Sequence, residues 1–558
     1  MNIELVRTNN TQGRKLIIFY IYRIIACMSV EPDEIQSANR QIARAAGTVM
    51  AAFILSNLIG LIRGILILRG FGTGAEMEAF NTANRLAETL FNLVAGGALA
   101  SAFVPTFTGF LAKKETAHAW HLASAIANLV LIILTIVSAL SAVFAPQIVQ
   151  YLLAPGFVDE PAKFNLTVQL LRVILPSVVI FGLSGLMMGI LNANQVFLYP
   201  ALAPSMYSIG IIFGVLVLSP GMGIFGLAWG TVLGAALHLL VQVPSLIRLK
   251  ATYKPILGLE DPAVREVGKL MLPRLVGAGI VQLNFWVNTN LASRQPEGSL
   301  TAITTAFTLM MMPQALIAQA IAIASLPTFS AQVALGRLDE MRSSLASTLR
   351  AVLLLSMPSS IGLILLREPI IRLLYQGGRF GDRSTELVAW ALLWYAAGLV
   401  GHCVVEIISR AFYALHDTKT PVIVGVFAMS LNIGFSLLFT TMFQHAGLMP
   451  HGGLALANSL ATGIEMAILL VIMRKRLNGL QGLFILDAVW KGAAACAAMT
   501  IILVIWLGWS ASKSVWLVTL VGLLLGVGIY GVILIILKTK EVGIVWKAIT
   551  RRLLHRAA

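Results

Sequence analysis

Fourteen long apolar segments, separated by short connections, run along this 558-residue chain. Each has about 20 residues or more, the length that an α-helix needs to cross the hydrocarbon core of a bilayer. The pattern predicts an all-α polytopic membrane protein. The predicted spans, numbered 1 to 14, are 45–68, 79–110, 121–145, 164–191, 199–218, 224–246, 267–291, 300–326, 344–366, 386–413, 421–442, 453–473, 487–508 and 514–537.

Composition argues against a large soluble domain. Hydrophobic residues make up 58% of the chain and charged residues 11%, and the mean hydropathy is +0.86. A soluble domain has about a quarter charged residues, because even a large core needs a charged shell. The chain is therefore expected to lie in a membrane over nearly its whole length.

The net charge of +16 would also suit a nucleic-acid-binding protein, but lysine and arginine concentrate in every second connection and in the C-terminal tail. The positive-inside rule places these connections and both termini in the cytoplasm, so no nucleic-acid partner is expected. One connection on the predicted outer side, with Arg367, Arg372, Arg379 and Arg383, is an exception. We interpret it as an interfacial helix, with contact to anionic lipid or substrate as the alternative.

Residues 1–42 precede the first span as an N-terminal extension. Its apolar part, 16–30, is short, is interrupted by Arg23 and lacks a small-residue cleavage site, so we do not expect a signal peptide. Met28 is an alternative start. The three cysteines lack CxxC spacing and predict neither a disulfide framework nor a metal site.

Polar residues interrupt the first two spans in a regular way. Arg63 lies inside the apolar stretch 45–68, where an unpaired arginine costs several kcal/mol unless it faces protein, a partner or water. In span 2, six residues recur at intervals of three or four and fall on one helix face. They are Glu78, Asn81, Arg85, Glu88, Asn92 and Gly96. This pattern predicts that the interior of the helical bundle is polar.

The chain contains an internal duplication. The stretch 101–107 (SAFVPTF) recurs as 324–329 (ASLPTF), and two weaker matches have nearly the same offset, close to 222 residues. The offset spans six helices, so both copies keep the same orientation and form parallel repeats. We predict an N-lobe of spans 1–6 (43–250) and a C-lobe of spans 7–12 (251–480). Spans 13 and 14 with a basic cytoplasmic tail (481–558) follow as an appendage.

One stretch between spans 10 and 11 is specific to a known family. Residues 410–422 (RAFYALHDTKTPV) resemble the signature of the MurJ/MviN family, which belongs to a superfamily of multidrug and polysaccharide exporters. The resemblance covers about 43–480, and other landmarks of the family occur in the family's order. These landmarks are 60–63 (GLIR), 71–72 (FG), 79–80 (AF), 97–105 (GALASAFVP), 154–157 (APGF), 189–192 (GILN), 200–204 (PALAP) and 378–380 (GRF).

The resemblance implies a flippase, not an enzyme. Its substrate would be lipid II, the polyprenyl-pyrophosphate-linked peptidoglycan precursor, moved from the cytoplasmic to the outer leaflet of the bacterial inner membrane. In the family the two lobes alternate around a central cationic cavity, and spans 13 and 14 form a groove for the lipid tail. Implied partners are this precursor, membrane lipids and the cell-wall synthesis machinery. No cofactor is implied beyond coupling to the membrane potential or to a monovalent cation.

Several cavity charges of the family are replaced in this chain. A family arginine aligns with Asn57, an aspartate with Gly64, a second arginine with Phe91, a glutamate with Gly96 and a third arginine with Thr308. Arg274, in span 7, is a cation that the family pattern does not include. Spans 1 and 2 together therefore carry a weaker positive charge than such a site usually has.

We expect Arg63, Arg85 and Arg274 to bind the headgroup phosphates, since the planar fork of arginine matches phosphate geometry. For Arg85 the alternative is a structural ion pair with Glu88, and for Arg274 it is a side chain that extends to the cytoplasmic interface. The other predicted substrate-binding residues are Glu78, Asn57, Glu88 and Asn81.

Two further groups of residues are predicted to serve transport. Small residues let helices approach closely, and Gly60, Gly64, Gly96 and Gly97 are expected to line the seam between the moving lobes. His402, Glu406 and Glu465 are candidates for ion coupling because intramembrane ionisable groups need a partner. For His402 and Glu406, which share one face of span 10 with Arg410, the alternative is a hydrogen-bond network between helices.

Other functions remain alternatives. The missing arginines are compatible with an exporter of a different lipid-linked oligosaccharide or of an amphiphilic, drug-like compound. A membrane glycosyltransferase would need acidic residues on a sizeable outer loop, and the outer loops here are short and poor in carboxylates. A scaffold role predicts that no single substitution in the cavity matters.

Overall fold

A computed structural model of the chain describes residue 52 and residues 55–94, 98–539 and 541. The predictions made for Gly96, Gly97 and the extension 1–42 lie outside the described residues. The described part is helical throughout and has no strand beyond an isolated bridge between Gly377 and Phe380.

Over the described residues, each of the fourteen predicted spans is helical, which confirms the all-α polytopic fold. In span order the helical segments are 55–71; Ala75–Val94 with Ala98–Ala112; Thr116–Val143; Pro161–Ala193; Leu198–Met222; Ile224–Arg248; Pro262–Ser293; Ser299–Ala334; Leu338–Leu365; Asp382–Ala397 with Leu399–Ala414; Lys419–His445; His451–Arg476; Gly482–Ser510; and Val515–Ile536. Among the described residues, ten of these are long and apolar enough to cross a membrane unaided.

Span 10 is an eleventh candidate, made of two helices that meet at an angle of 46°. The bend is stabilised from span 12, where Ser459 Oγ donates a hydrogen bond of 2.7 Å to the carbonyl of Trp394. Side-chain hydroxyls commonly satisfy the backbone groups that such bends release inside a membrane. Spans 1, 2 and 7 are not long and apolar enough by themselves over their described residues. The described part of span 1 is short, and spans 2 and 7 carry polar stripes or charges.

The same helix pairs pack together in both halves of the chain. Span 4 packs on spans 2, 3 and 6, and span 10 packs on spans 8, 9 and 12. Likewise span 5 packs on span 6, and span 11 on span 12. This correspondence supports the internal duplication, whose lobe boundaries stay a prediction. Span 7 packs on span 2 of the first half and on span 11 of the second.

Spans 13 and 14 are held against span 9 by a buried cation that the sequence analysis did not identify. The Arg350 side chain is fully buried and forms ion pairs with Asp487, at 3.2 Å, and with Glu541, at 2.6 Å. It also lies over the ring of Phe484. Arginine stays charged even when it is buried, so its burial is costly unless carboxylates pair with it. The pairs with Asp487 and Glu541 therefore fix the appendage to the C-lobe.

The two halves join at their predicted outer ends. Among the described residues, every hydrogen bond between spans 1–6 and the chain beyond span 7 lies toward this end. Arg379 N donates to the carbonyl of Arg69 at 2.8 Å, and Thr73 and Ser384 share a buried hydroxyl–hydroxyl hydrogen bond, also 2.8 Å long. An ion pair of 2.7 Å between Arg379 and Glu76 lies at the surface of the same junction.

Two glycines allow this close approach. Gly72 and Gly378 both have positive φ angles, +65° and +58°, which residues with a Cβ rarely adopt. A Cβ on Gly72 would lie 2.6 Å from the carbonyl oxygen of Arg379, and a Cβ on Gly378 would clash with that of Arg69. Both positions therefore require glycine for the outer ends to close.

Gly378→Ala is expected to open the outer junction. In a chain whose native cysteines are replaced by alanine, Ser384→Cys reports this opening through its rate of labelling by an impermeant maleimide. We expect several-fold faster labelling in Gly378→Ala, because Ser384 is buried behind the junction. Gly381→Ala is the matched control, since a Cβ there meets nothing within 4 Å. Equal labelling in both variants would contradict this role of Gly378.

Candidate functional site

A cavity of about 440 Å³ lies among spans 2, 7, 8, 10, 11 and 12, at membrane depth. Most of its lining residues are polar or aromatic. The polar and aromatic lining residues are Arg85, Glu88, Asn284, Phe285, Asn288, Thr289, Thr304, Phe307, Thr308, Tyr395, His402, Asn432, Asn458, Thr462 and Glu465. Residues of this kind inside a membrane usually face a substrate pathway, so this cavity is the candidate functional site.

Arg85 is the one cation that lines the cavity among the described residues. Its Nη1 lies 3.1 Å from Glu88 Oε2, and its guanidinium is 5.4 Å from the ring centre of Phe285. The Arg85 Nε is buried and has no hydrogen-bond partner among the described atoms. The ion pair that was the alternative for Arg85 is thus present, yet the guanidinium keeps an unused donor beside the cavity.

Arg63 does not line this cavity. It faces span 5 within the first half, where Nη1 donates to Ser208 Oγ at 3.3 Å and the guanidinium lies 5.5 Å from the ring centre of Tyr207. Glu88 is within electrostatic reach of the same Tyr207 hydroxyl. Arg63 therefore contacts Tyr207 and Ser208 within the first half, whereas Arg85 pairs with Glu88 at the cavity wall.

Glu78 lies away from the cavity and has its oxygens occupied. Oε2 is 2.5 Å from Lys163 Nζ, and Oε1 accepts a hydrogen bond of 2.9 Å from the backbone N–H of Leu300. Both Glu78 and Lys163 are almost completely buried. Glu78 thus joins the start of span 2 to the start of span 8, where a negative charge suits the helix N-terminus.

The remaining predicted substrate-binding residues are scattered. Asn81 donates to Thr301 Oγ1 at 3.1 Å across the two halves, near Glu78. Asn57 is exposed on span 1. Arg274 is exposed and forms no ion pair or hydrogen bond among the described residues. The structure therefore does not assemble Arg63, Arg85 and Arg274 around one cavity, and their joint phosphate binding stays a prediction.

Two of the three candidate coupling residues face the cavity. His402 Nε2 lies 3.1 Å from Asn458 Oδ1 and 3.4 Å from Thr462 Oγ1. Glu465 lies one helical turn farther along span 12 and has no hydrogen-bond or ion-pair partner among the described residues. Glu406 is separate, because it forms an ion pair of 2.7 Å with Arg410 outside the cavity.

No metal site accompanies these groups. Across the part of the chain that the structure describes, no cluster of three histidine, cysteine or acidic residues is placed to hold a metal ion. The cavity wall instead offers side-chain amides and hydroxyls, which recognise neutral polar groups of a ligand by hydrogen bonds.

Local packing explains two of the departures from the family pattern. Phe91 packs against Phe181, with ring centres 4.8 Å apart, and Phe181 in turn contacts Tyr207 and His238. An aromatic cluster thus takes the place of a family cavity arginine. Thr308 does line the cavity, but its hydroxyl donates to the carbonyl of Thr304 at 2.9 Å.

The predicted seam glycines of span 1 have open space beside them in the described part of the chain. A Cβ on Gly60 or Gly64 would meet nothing within 4 Å. Close glycine contacts occur instead between spans 5 and 6, where a Cβ on Gly214 would lie 2.6 Å from Gly230 Cα. A role for Gly60 and Gly64 in lobe movement stays a prediction.

The turn between spans 10 and 11 has a structural role that its sequence explains. Asp417 accepts hydrogen bonds from the backbone N–H of Lys419 and from Thr420, and lies 2.6 Å from Arg476 of span 12. The Thr420 hydroxyl and backbone N–H, together with the Arg476 charge, lower the pKa of Asp417. Asp417 therefore caps span 11 and fixes it to span 12.

The asparagines of the cavity are not among the residues predicted from the sequence. Asn284 and Asn288 are one turn apart on span 7 and hydrogen-bonded at 2.6 Å, while Asn432 and Asn458 come from spans 11 and 12. Their signal is a polar residue repeated at an interval of four inside an apolar span. Such a pair marks a buried polar face, although it does not say which helices face it.

Comparison with known proteins gives a consistent result. The family model described as "Lipid II flippase MurJ" matches residues 67–526. The lipid II flippase MurJ of Burkholderia cenocepacia is 31% identical over 411 residues, which cover 73% of this chain and 80% of that protein. A probable lipid II flippase MurJ of Vibrio cholerae is 29% identical and covers 90% of this chain and 97% of that protein.

Solved structures agree in fold. A lipid II flippase MurJ in an inward closed conformation is similar with a TM-score of 0.75 and 26% identity, covering 87% of this chain and 97% of that one. An inward-facing multidrug resistance transporter of the MATE family has a TM-score of 0.64 at 16% identity, covering 78% of this chain and 99% of that one, which shows the shared fold alone. The chain belongs to the lipid II flippase MurJ family.

Proposed function

We propose that this chain is a lipid II flippase, a membrane transporter rather than an enzyme. It moves the polyprenyl-pyrophosphate-linked peptidoglycan precursor from the cytoplasmic to the outer leaflet of the bacterial inner membrane. The observation that carries the proposal is a polar cavity at membrane depth, lined by both halves of a MurJ-family fold. A charged sugar headgroup cannot cross hydrocarbon unaided, because desolvating its polar groups costs too much free energy.

Movement proceeds by alternating access of the two halves. The contacts at the predicted outer ends, around Gly72 and Gly378, close one side of the molecule. Opening these contacts would release the headgroup outward while the lipid tail stays in the bilayer. Both termini face the cytoplasm in this scheme. This agrees with the concentration of lysine and arginine in every second connection, beginning with the one between spans 2 and 3.

Arg85 binds the headgroup phosphates, because it combines a cation with an unpaired buried donor at the cavity wall. Arg63 continues this positive region on the side of the first half. The lining holds one arginine and two glutamates, so the cavity is less cationic than the family resemblance implies. Phosphate binding by one arginine, Arg85, is consistent with this small number of positive charges in the lining.

The membrane potential supplies the driving force. Each negative charge that moves toward the positive outer side gains about 2.3 kcal/mol per 100 mV. An anionic headgroup therefore needs no inorganic coupling cation to move outward. The released precursor is taken up by the cell-wall synthesis machinery on the outer surface, which is the functional partner in this proposal.

Growth rescue tests the proposed function. The chain is expressed in a bacterium whose essential lipid II flippase can be depleted, and growth and cell shape are followed after depletion. We expect rescue by the unaltered chain. Normal membrane expression without rescue would contradict lipid II as the substrate. It would favour a different lipid-linked oligosaccharide, in line with the low positive charge of the cavity.

A further inference from the structure

The C-lobe side of the cavity differs in chemistry from the Arg85 side. Four asparagines, Asn284, Asn288, Asn432 and Asn458, provide amide donors and acceptors from three helices. Threonine hydroxyls and the aromatic rings of Phe285, Phe307 and Tyr395 complete this wall. Amides, hydroxyls and aromatic faces together suit sugars and peptide groups, which present both hydrogen-bonding edges and apolar faces.

Glu465 adds a negative charge to this wall. The carboxylate faces span 11, since a Cβ on Gly425 would lie 3.5 Å from Glu465 Oε1. Arg85 is already paired with Glu88, which leaves Glu465 as the glutamate of the described lining without a cationic partner. An ionised carboxylate inside a membrane is costly unless a cation pairs with it. No described side chain supplies that cation.

The size of the cavity indicates which kind of cation would pair with Glu465, an inorganic ion or a cationic group of a larger ligand. About 440 Å³ is in the range of a small-molecule pocket and holds more than ten water-sized groups. An inorganic cation needs a tight shell of oxygens at about 2 to 2.6 Å, and of the two glutamates in the described lining only Glu465 lacks a cationic partner. The cavity therefore fits a larger ligand portion that bears a cationic group.

We propose that this wall is the subsite for the sugar-peptide part of the headgroup, and that Glu465 binds an ammonium group on it. The proposal rests on the proposed function. The peptide of a peptidoglycan precursor contains amides and, on a diamino-acid residue, a primary amine that is protonated at neutral pH. The phosphates of the headgroup would bind at Arg85 and its ammonium group at Glu465. These two contacts, of opposite charge, would orient the headgroup in the cavity.

Equilibrium binding to the purified full-length chain in lipid nanodiscs tests this subsite. Two probes are compared, lipid II with a free side-chain amine and the same molecule with that amine acetylated. We expect the unaltered chain to bind the free-amine probe about tenfold more tightly, as one charge-assisted hydrogen bond allows. Glu465→Gln should bind both probes equally, while Glu465→Asp should keep the preference. Glu386→Gln, which removes an exposed carboxylate outside the cavity, is the matched control.

The outcomes separate this inference from the proposed function. If the unaltered chain binds both probes equally well, or if Glu465→Gln keeps the preference, the ammonium subsite is wrong and the flippase proposal stands. If the preference disappears when sodium is replaced by potassium, Glu465 holds an inorganic cation and the subsite is also wrong. If neither probe binds, lipid II is not the substrate and both proposals fail.

Discussion

Lys163→Met is expected to remove most of the folded protein from the membrane. Lys163 is the partner of Glu78 in a buried ion pair of 2.5 Å, and both side chains are at most 4% exposed. Removing one member of a buried pair leaves an uncompensated charge and costs about 3 to 5 kcal/mol. That loss is comparable to a large fraction of the total stability of a protein. The measurement is the amount of monodisperse protein after detergent extraction, together with its thermal unfolding temperature.

Two variants test whether the charge itself is responsible. The double variant Glu78→Gln with Lys163→Met removes both charges and should recover much of the lost protein, because the amide oxygen of the new side chain would still accept the hydrogen bond from Leu300 N. Arg383→Met breaks the exposed pair with Glu386 and should change little, as surface pairs contribute about 0 to 1 kcal/mol. If Lys163→Met unfolds at the same temperature as the unaltered chain, the account of this pair is wrong.

Arg85→Ala is expected to abolish growth rescue without loss of protein. Among the described residues it removes the one cation of the cavity lining and leaves Glu88 and Glu465 facing the headgroup. A hydrogen bond to a charged group contributes about 1.5 to 3 kcal/mol, which corresponds to a loss of about 10- to 100-fold in binding. Rescue is scored by growth after depletion of the native flippase, at matched membrane levels of the two proteins.

Arg85→Lys keeps the charge but not the planar fork, so it should rescue growth partially. Arg172→Ala is the control, since among the described residues this exposed arginine of span 4 donates only to the carbonyl of Ala142. Full rescue by Arg85→Ala at the normal protein level would show that the phosphates bind elsewhere. The predicted cluster with Arg63 and Arg274 would then need to form in another conformation.

Hydropathy and repetition were enough to predict the fold. A bilayer imposes one length and one secondary structure on each span, so the fourteen segments could be identified directly from the sequence. The duplication also followed from sequence, because its landmarks keep nearly one offset. The stripe of span 2 correctly grouped Arg85 and Glu88 on one face, and both line the cavity.

The sequence could not specify which helix or cavity each polar helix face contacts in the folded chain. Glu78 shares the stripe with Arg85, yet its partner is Lys163, which lies 85 positions away in the first turn of the span 4 helix. Arg63 faces span 5 rather than the cavity because rotation of a helix about its axis depends on packing with its neighbours. The cavity asparagines come from spans that are distant in sequence, so only the three-dimensional packing brings them together.

The central claim is that this chain moves lipid II to the outer leaflet. The most direct measurement is the amount of lipid II accessible to a membrane-impermeant, headgroup-binding probe in flippase-depleted cells that express the chain. Cells with the unaltered chain are predicted to expose lipid II at the level of cells with their native flippase, and cells with Arg85→Ala at the depleted level. Outer-leaflet lipid II that stays at the depleted level with the well-expressed, unaltered chain would contradict the account.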